Sequence, residues 1–276
     1  MKIQFDPFFV EYDVIVDPIL DFRSECINAA NKIVRKNIKK LPIAVMMSGG
    51  IDSELVAESF RISNIPFSCI IGRLLTTVEN NNIIFNEHDF KYAETWCIKN
   101  KIQYNFVDID IFKMNDILCK YVLSANGFSP QYACHMYIMK WCRDNGYFFV
   151  AGNGEMDIVL RDGVYYMQDE QRECSLYLFC IKNNLLGEFQ FWKQDSRLIS
   201  SFLQLSTVKK YMNNNVISIL EYKHECFLDA FEFEPRIKQT GFEFIQQWDS
   251  IHRTYLKQFT GCFDNKCFTP IDKFYS

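Results

Sequence analysis

The sequence has no apolar run approaching the ~20 residues that a membrane span requires. Its first residues, Met1-Lys-Ile-Gln-Phe-Asp6, lack the apolar core of a secretion signal. It has no internal repeat, no low-complexity tract and no obvious flexible linker. Its eleven cysteines are odd in number and stand singly in apolar segments, which argues against a disulfide framework. Buried reduced thiols in a cytoplasmic protein are the better reading. A basic excess is also missing: 30 Lys and Arg face 34 Asp and Glu, for a net charge of -4. Bulk nucleic-acid binding is therefore not indicated, although a local basic groove is compatible with the sequence. Two phosphate signatures are absent as well. No lysine follows the glycines near residue 50 as G-x-x-x-x-G-K-[ST] demands, and Ser48-Gly-Gly-Ile-Asp-Ser53 lacks the spacing of G-x-G-x-x-G.

What is present is a chain of 276 residues, 49% hydrophobic and 16% aromatic, able to bury one large core or two modest ones. Residues 1–16 alternate loosely and suggest a short hairpin. Asp17-Pro18 reads as N-cap and first helical residue, and Ile19, Phe22, Cys26, Ala30 and Ile33 mark one helical face to about Lys40. Leu41 to Met47 is a short apolar run flanked by Pro and Gly, the pattern of a buried parallel strand. A glycine turn follows, then a helix from Asp52 to about Ser63, a strand over 65–72, a polar exposed loop over 76–86, and a helix over 87–101. A third strand over 102–110 and a helical stretch over 110–123 come next. A helix from Pro130 to Asp144 then leads into a strand over 147–151. This repeated strand–helix alternation predicts an α/β fold with a doubly wound parallel sheet, its ligands beyond the carboxyl ends of the strands. The expected division is a nucleotide-binding domain over 1–158 and a mostly helical extension over 159–276, with helices near 197–205 and 241–259 and a strand or hairpin at Val164–Met167.

Strand, tight glycine turn and helix together aim backbone N–H groups and a helix N-terminus at an anion. Ser48-Gly-Gly-Ile-Asp-Ser53 resembles the S-G-G-x-D-S signature of the N-type ATP pyrophosphatases, which include asparagine synthetase, NAD synthetase, GMP synthetase and tRNA-modifying enzymes. The Pro-led helix at 130 and the strand running into Ala151-Gly-Asn-Gly-Glu-Met-Asp157 are similar to the synthetase domain of asparagine synthetase, where S-G-E-G-A-D-E occupies that place. The resemblance covers residues 20–160, and the chain looks like a standalone, phage-type member.

Here Asn153 stands where the family has its first acid, and the following acid is shifted by one. The resemblance implies cleavage of ATP between its α and β phosphates, with Mg2+ bridging them. A carboxylate or amide oxygen is adenylated, and ammonia, an amine or a sulfur nucleophile then displaces AMP. By the same resemblance Met46, Met47, Ile70, Ile71 and Gly72 lie near the adenine, with Ser48, Gly49, Gly50, Ile51, Asp52 and Ser53 at the phosphates. Gly152, Asn153 and Gly154 form the opposite lip. Asp52 with Glu155 or Asp157 would hold the metal, and Asp52, Lys193 and Lys238 are the catalytic candidates, with Arg161 and Arg236 as further cations. The chain opens Met1-Lys2, where glutamine-dependent relatives open on a cysteine nucleophile. The small-molecule reaction would then take ammonia from solution or from an ammonia-supplying subunit.

Two alternatives stand beside this. One is sulfur transfer to a nucleotide or tRNA through Cys134 or Cys142. The other is a nucleotide-binding protein without turnover, prompted by the altered Gly152–Asp157 turn. Cys262-x4-Cys267 offers no second ligand pair for zinc. Asp89 reads as a helix cap, and Asp108 or Asp110 ends the third strand.

Overall fold

A computed structural model of the chain describes residues 11–78, 81–110, 130–170, 174–234, 236, 239–241 and 266–275. Helix α1 (Phe22–Lys36) starts behind Asp21, whose side chain accepts the Ser24 N–H at 3.0 Å. The expected start at Asp17-Pro18 is thus one turn too early. The Asn37 amide closes the helix against Leu41, donating to its carbonyl and accepting its N–H, and so aims the chain into strand β1 (Ile43–Met46).

Helix α2 (Ile51–Ile62) follows β1, then β2 (Ser68–Val78), β3 (Asn81–Ile84), α3 (Glu87–Asn100) and β4 (Gln103–Asp110). The Pro130–Asp144 helix leads to β5 (Phe148–Val150). The antiparallel pair β6 (Asp157–Arg161) and β7 (Val164–Glu170) comes next, then the Cys174–Lys182 helix and the two-residue strand β8 (Gly187–Glu188). Helices Ser196–Leu203, Ser206–Asn213 and Lys223–Phe227 precede the last strand, β9 (Lys266–Pro270).

The central sheet runs β4-β2-β1-β5-β8, all parallel, with β3 joined antiparallel to the far end of β2. Leu75 is paired with Ile84 on one side and Asp110 on the other, so β3 lies on the β1 edge, past the end of β1. The segment read as a polar loop is therefore a hairpin that walls the carboxyl end of β1. Helices cover both faces, and the period-two alternation of the strands decides which residue meets which layer. Val45, Cys69 and Ile71 pack with Ala30, Leu55, Phe60 and Cys97 of α1 to α3. Ala44, Met46, Ile70 and Phe149 pack with Met136, Met139 and Phe179 of the other layer. Burying Leu55 and Phe60 of α2 fully contributes roughly 1.5–3 kcal/mol each, which holds the start of that helix in place.

From β1 the chain winds outward to β2 and β4 and returns to β5 on the other side of β1. The crevice of the fold opens where the winding reverses, between the carboxyl ends of β1 and β5. The fold is α/β with a mainly parallel sheet, as the alternation predicts.

Beyond residue 158 the expectation of helices is only partly met. A three-stranded antiparallel sheet, β6-β7-β9, stands beside the helices. It is organised by the Asp162-Gly163 turn, where both residues take positive φ, 49° and 78°, as a tight hairpin of this hand needs. The central sheet also takes β8 from this region. One apolar cluster runs from Val45 through Ile158 and Met167 to Phe227 and Phe274, so the core crosses the expected boundary. Residues 11–16 lack regular structure. The expected helices over 110–123 and 241–259, and residues 1–10, lie outside the described residues apart from Asp110 and Gly241 at their ends. Among the described residues no helix is long and apolar enough to cross a membrane.

Candidate active site

The turn between β1 and α2 is held by its own serines. Ser53 Oγ accepts the Ser48 N–H at 3.1 Å and donates to the Gly50 carbonyl at 2.8 Å, while Ser48 Oγ accepts the Gly50 N–H at 3.2 Å. The Gly50 amide, expected to face an anion, is thus used inside the turn. Gly50 is the N-cap of α2 and gives it no side-chain cap. The N–H groups of Ile51, Asp52 and Ser53 therefore have no acceptor within the helix, the condition that makes a helix start receptive to anions. Gly49 has φ +84° and lies under α3, where a Cβ would come 2.1 Å from the Asp89 carbonyl oxygen.

A cleft with ≈ 910 Å³ of space between atoms, its open mouth included, lies over this turn. Met46, Ile70, Gly72, Leu74, Ile109 and Ile138 form its apolar wall, and Ser48, Asp52, Ser53, Asp89, His135, Asn153, Glu155 and Thr240 supply the polar groups. Asn86 fixes the wall near Gly72, accepting the Leu74 N–H at 2.8 Å and donating to the Gly72 carbonyl at 2.9 Å.

The opposite lip is formed by the residues after β5. Gly152 is pressed against α2: a Cβ there would meet the Asp52 carbonyl oxygen and Val56 Cγ2 at 3.3 Å. The Gly152 carbonyl accepts Trp192 Nε1–H at 3.0 Å, and the Trp192 ring stacks on Phe227 at 5.3 Å and 6°. Phe227 closes the Lys223–Phe227 helix, so this stack ties that helix to the lip.

At the start of that helix, Lys223 Nζ donates to Asp52 Oδ2 at 2.6 Å and to Glu155 Oε2 at 2.5 Å, bridging the cleft. Burial works against the charge of Lys223, but the two carboxylates outweigh it and raise its pKa above the ordinary lysine value. Asp52 Oδ1 is buried and has no partner among the described residues. The donor set is oxygen only, and the spare carboxylate oxygen is of the kind Mg2+ takes, so the residues fit that ion.

Arg236 braces the turn from outside. Its Nε donates to the Gly49 carbonyl at 2.7 Å and its Nη1 to Glu54 Oε2 at 2.6 Å, with the guanidinium 3.7 Å above the Tyr92 ring. Nearby, the Gln239 N–H donates to Asp89 Oδ1 at 2.8 Å. Burial pushes the Glu54 carboxyl up, against the opposing pull of Arg236 and Tyr92.

Of the residues singled out from sequence, Met46, Met47, Ser48, Asp52, Ser53, Gly72, Gly152, Asn153 and Glu155 line one cleft. Gly49, Gly50 and Ile51 form the turn beside it. Gly154, at φ +78°, packs on Gln190. Ile71 belongs to the core on the α2–α3 side, because it alternates with the cleft residues Ile70 and Gly72. Between the two acids, Glu155 shares Lys223 with Asp52, while Asp157 opens β6 and accepts Gln168 Nε2 at 2.5 Å.

Lys193 pairs with buried Asp169 at 2.5 Å, which also accepts the Tyr12 hydroxyl. It sits in that ion pair and is not among the residues that line the cleft. Arg161 covers the Phe268 ring at 3.9 Å, and Lys238 lies outside the described residues. Asp89 sits in the first turn of α3 and accepts the Gln239 N–H. Sequence reasoning missed Lys223, which stands in Glu221-Tyr-Lys-His-Glu225 with no motif around it.

No family model and no curated protein sequence matches the chain. Among solved structures it is similar to the NH3-dependent NAD synthetase of Campylobacter jejuni in complex with the nitrate ion. Identity there is 11%, with 87% of this chain and 94% of that chain covered and a TM-score of 0.33. It is also similar to NMN synthetase from Francisella tularensis, at 12% identity, 85% and 94% coverage and a TM-score of 0.36. The site described above therefore stands on its own residues.

Proposed function

We propose that the chain is an ATP-dependent synthetase that forms AMP and pyrophosphate, adenylating a carboxylate or amide oxygen for attack by ammonia or an amine. One observation carries the reading: an uncapped helix start within Ser48–Ser53 faces Glu155 across a cleft, with Asp52 and Glu155 both on Lys223.

The Ile51, Asp52 and Ser53 amides and the dipole of α2 would bind the departing pyrophosphate, whose negative charge grows as the α–β bond breaks. The apolar wall at Met46, Ile70 and Ile109 suits a purine ring. Asp52 and Glu155 would hold Mg2+, which supplies charge neutralisation to the phosphates when bound. Lys223, charged and beside both acids, would add a mobile positive charge at the same place. The second substrate would enter between His135, Asn153 and Thr240, and ammonia would arrive from solution or from a partner subunit.

Sulfur transfer is disfavoured by the thiols. Cys142 lies in the core, and Cys134, although it lines the cleft, is buried; burial pushes each thiol up to about 12, away from the thiolate at neutral pH.

The test is product analysis. The protein, ATP, Mg2+, ammonium and a panel of carboxylates and amides should yield AMP and pyrophosphate in equal amounts. Release of ADP and phosphate would overturn the reading. Loss of turnover in Cys134→Ser or Cys142→Ser, with folding intact, would revive the sulfur-transfer alternative.

A further inference from the structure

The acid pair that reads as a metal site already has a cation of its own. Lys223 Nζ contacts Asp52 Oδ2 and Glu155 Oε2 together, so those oxygens stand within about 5 Å of each other. Two oxygens bound to one Mg2+ are at most about 4 Å apart, so a small inward movement of Glu155 converts an ammonium site into a metal site. We propose that the Lys223 ammonium and a divalent cation are alternative occupants of the Asp52–Glu155 pair, so that metal enters with the nucleotide and not ahead of it. This rests on the nucleotide reading given above.

Three features support the exchange. Both contacts go to one oxygen of each acid, and Asp52 Oδ1 is left buried and without a partner among the described residues. A single ammonium thus leaves coordinating capacity unused. The Lys223 side chain keeps about a quarter of its surface exposed (23%), which leaves a way out on a flexible four-carbon stem.

Electrostatics make the two occupants exclusive. An ammonium and a dication a few ångströms apart repel strongly in a partly buried site, and two acids do not neutralise three positive charges. Free metal must therefore break two charge-assisted hydrogen bonds and drive the ammonium out without offering it a new anionic partner. A metal–triphosphate brings anionic oxygens, and these give the displaced ammonium a new partner. Ligand and metal then assist each other, the reciprocal coupling expected when each relieves the other's cost. For the apo protein, the internal cation offsets the repulsion between two facing carboxylates.

Mn2+ alone, followed by electron paramagnetic resonance, provides the test. Wild type should bind free Mn2+ weakly. Lys223→Met should bind one ion at least about tenfold more tightly, and Lys223→Arg, which keeps the charge, should stay near wild type. A wild-type measurement needs no variant to fold: adding α,β-methylene ATP should create a protein-bound Mn2+ signal that neither additive gives alone. Equal Mn2+ affinity in wild type and Lys223→Met, or tight Mn2+ binding by wild type without nucleotide that Asp52→Asn abolishes, would overturn the exchange. If the nucleotide analogue binds while those affinities are equal, only the exchange falls. If the analogue does not bind at all, the nucleotide reading falls with it.

Discussion

A Cβ on Gly49 would lie 2.1 Å from the carbonyl oxygen of Asp89, and Gly49 itself holds φ at +84°. The β1–α2 turn and the start of α3 are thus pressed backbone to backbone, with no room for a side chain between them. Gly49→Ala should cost roughly 2–6 kcal/mol, adding a strained φ to an overpacked contact. Gly146 gives the comparison: it also has positive φ, but nothing lies within 4 Å of its added Cβ. Gly146→Ala should cost only about 1 kcal/mol. Urea unfolding of the two variants measures the difference, and equal losses would contradict the close approach.

The Arg236–Glu54 pair is buried on both sides and joins residues 182 positions apart. Arg236→Ala leaves a buried carboxylate facing an empty space, and stability should drop by about 3–5 kcal/mol. Replacing Arg236 and Glu54 together by leucine should recover much of that loss. A double-mutant cycle in urea checks it, and strict additivity of the single losses would show that the two are not coupled.

Alkaline pH should loosen the fold. Cys134 and Cys142 ionise near the ordinary thiol value of 9.0 when unfolded but at about 12 when buried. Below pH 9 both states keep the proton and the contribution of the thiols is fully present. Between 9 and 12 only the unfolded chain releases it, so stability falls as pH rises, by up to ~1.4 kcal/mol per pH unit for each thiol. Lys223 acts with the same sign: its folded pKa is raised above 10.5, so its contribution is lost above that value. Urea midpoints from pH 8 to 11 should show a declining limb that is shallower in a Cys134→Ala, Cys142→Ala double variant. Equal slopes would contradict the assignment.

Much of this architecture was legible because it is encoded locally. The apolar run before Ser48, the glycine turn and the helical spacing of Leu55, Val56 and Phe60 specify strand, turn and helix within twenty residues. The same holds for the Pro130 helix and the strand that delivers Gly152. What escaped depends on distant partners. Asn81 and Asn82 look like loop, yet they complete a hairpin because β2 continues past the end of β1 and offers an open edge. The two residues of β8 are too few to carry a period. The Asp162-Gly163 turn did carry a local signal for the β6–β7 hairpin.

Lys193 and Lys223 are alike as isolated lysines in mixed surroundings. Only the fold shows that one meets Asp169 and the other spans Asp52 and Glu155. The shifted acid at the Gly152 lip left Glu155 and Asp157 equivalent in sequence. They separate because Asp157 already belongs to β6 and is paired with Gln168 in register.

The central claim is that Asp52 and Glu155 are two sides of one cation site that receives the nucleotide's phosphates. Calorimetric titration of α,β-methylene ATP with Mg2+ into wild type, Asp52→Ala and Glu155→Ala tests it most directly. Binding should require Mg2+, and each substitution should weaken it by about 10–100-fold, the magnitude of losing one charge-assisted contact to the site. Unchanged affinity in both variants, or binding indifferent to Mg2+, would contradict the account.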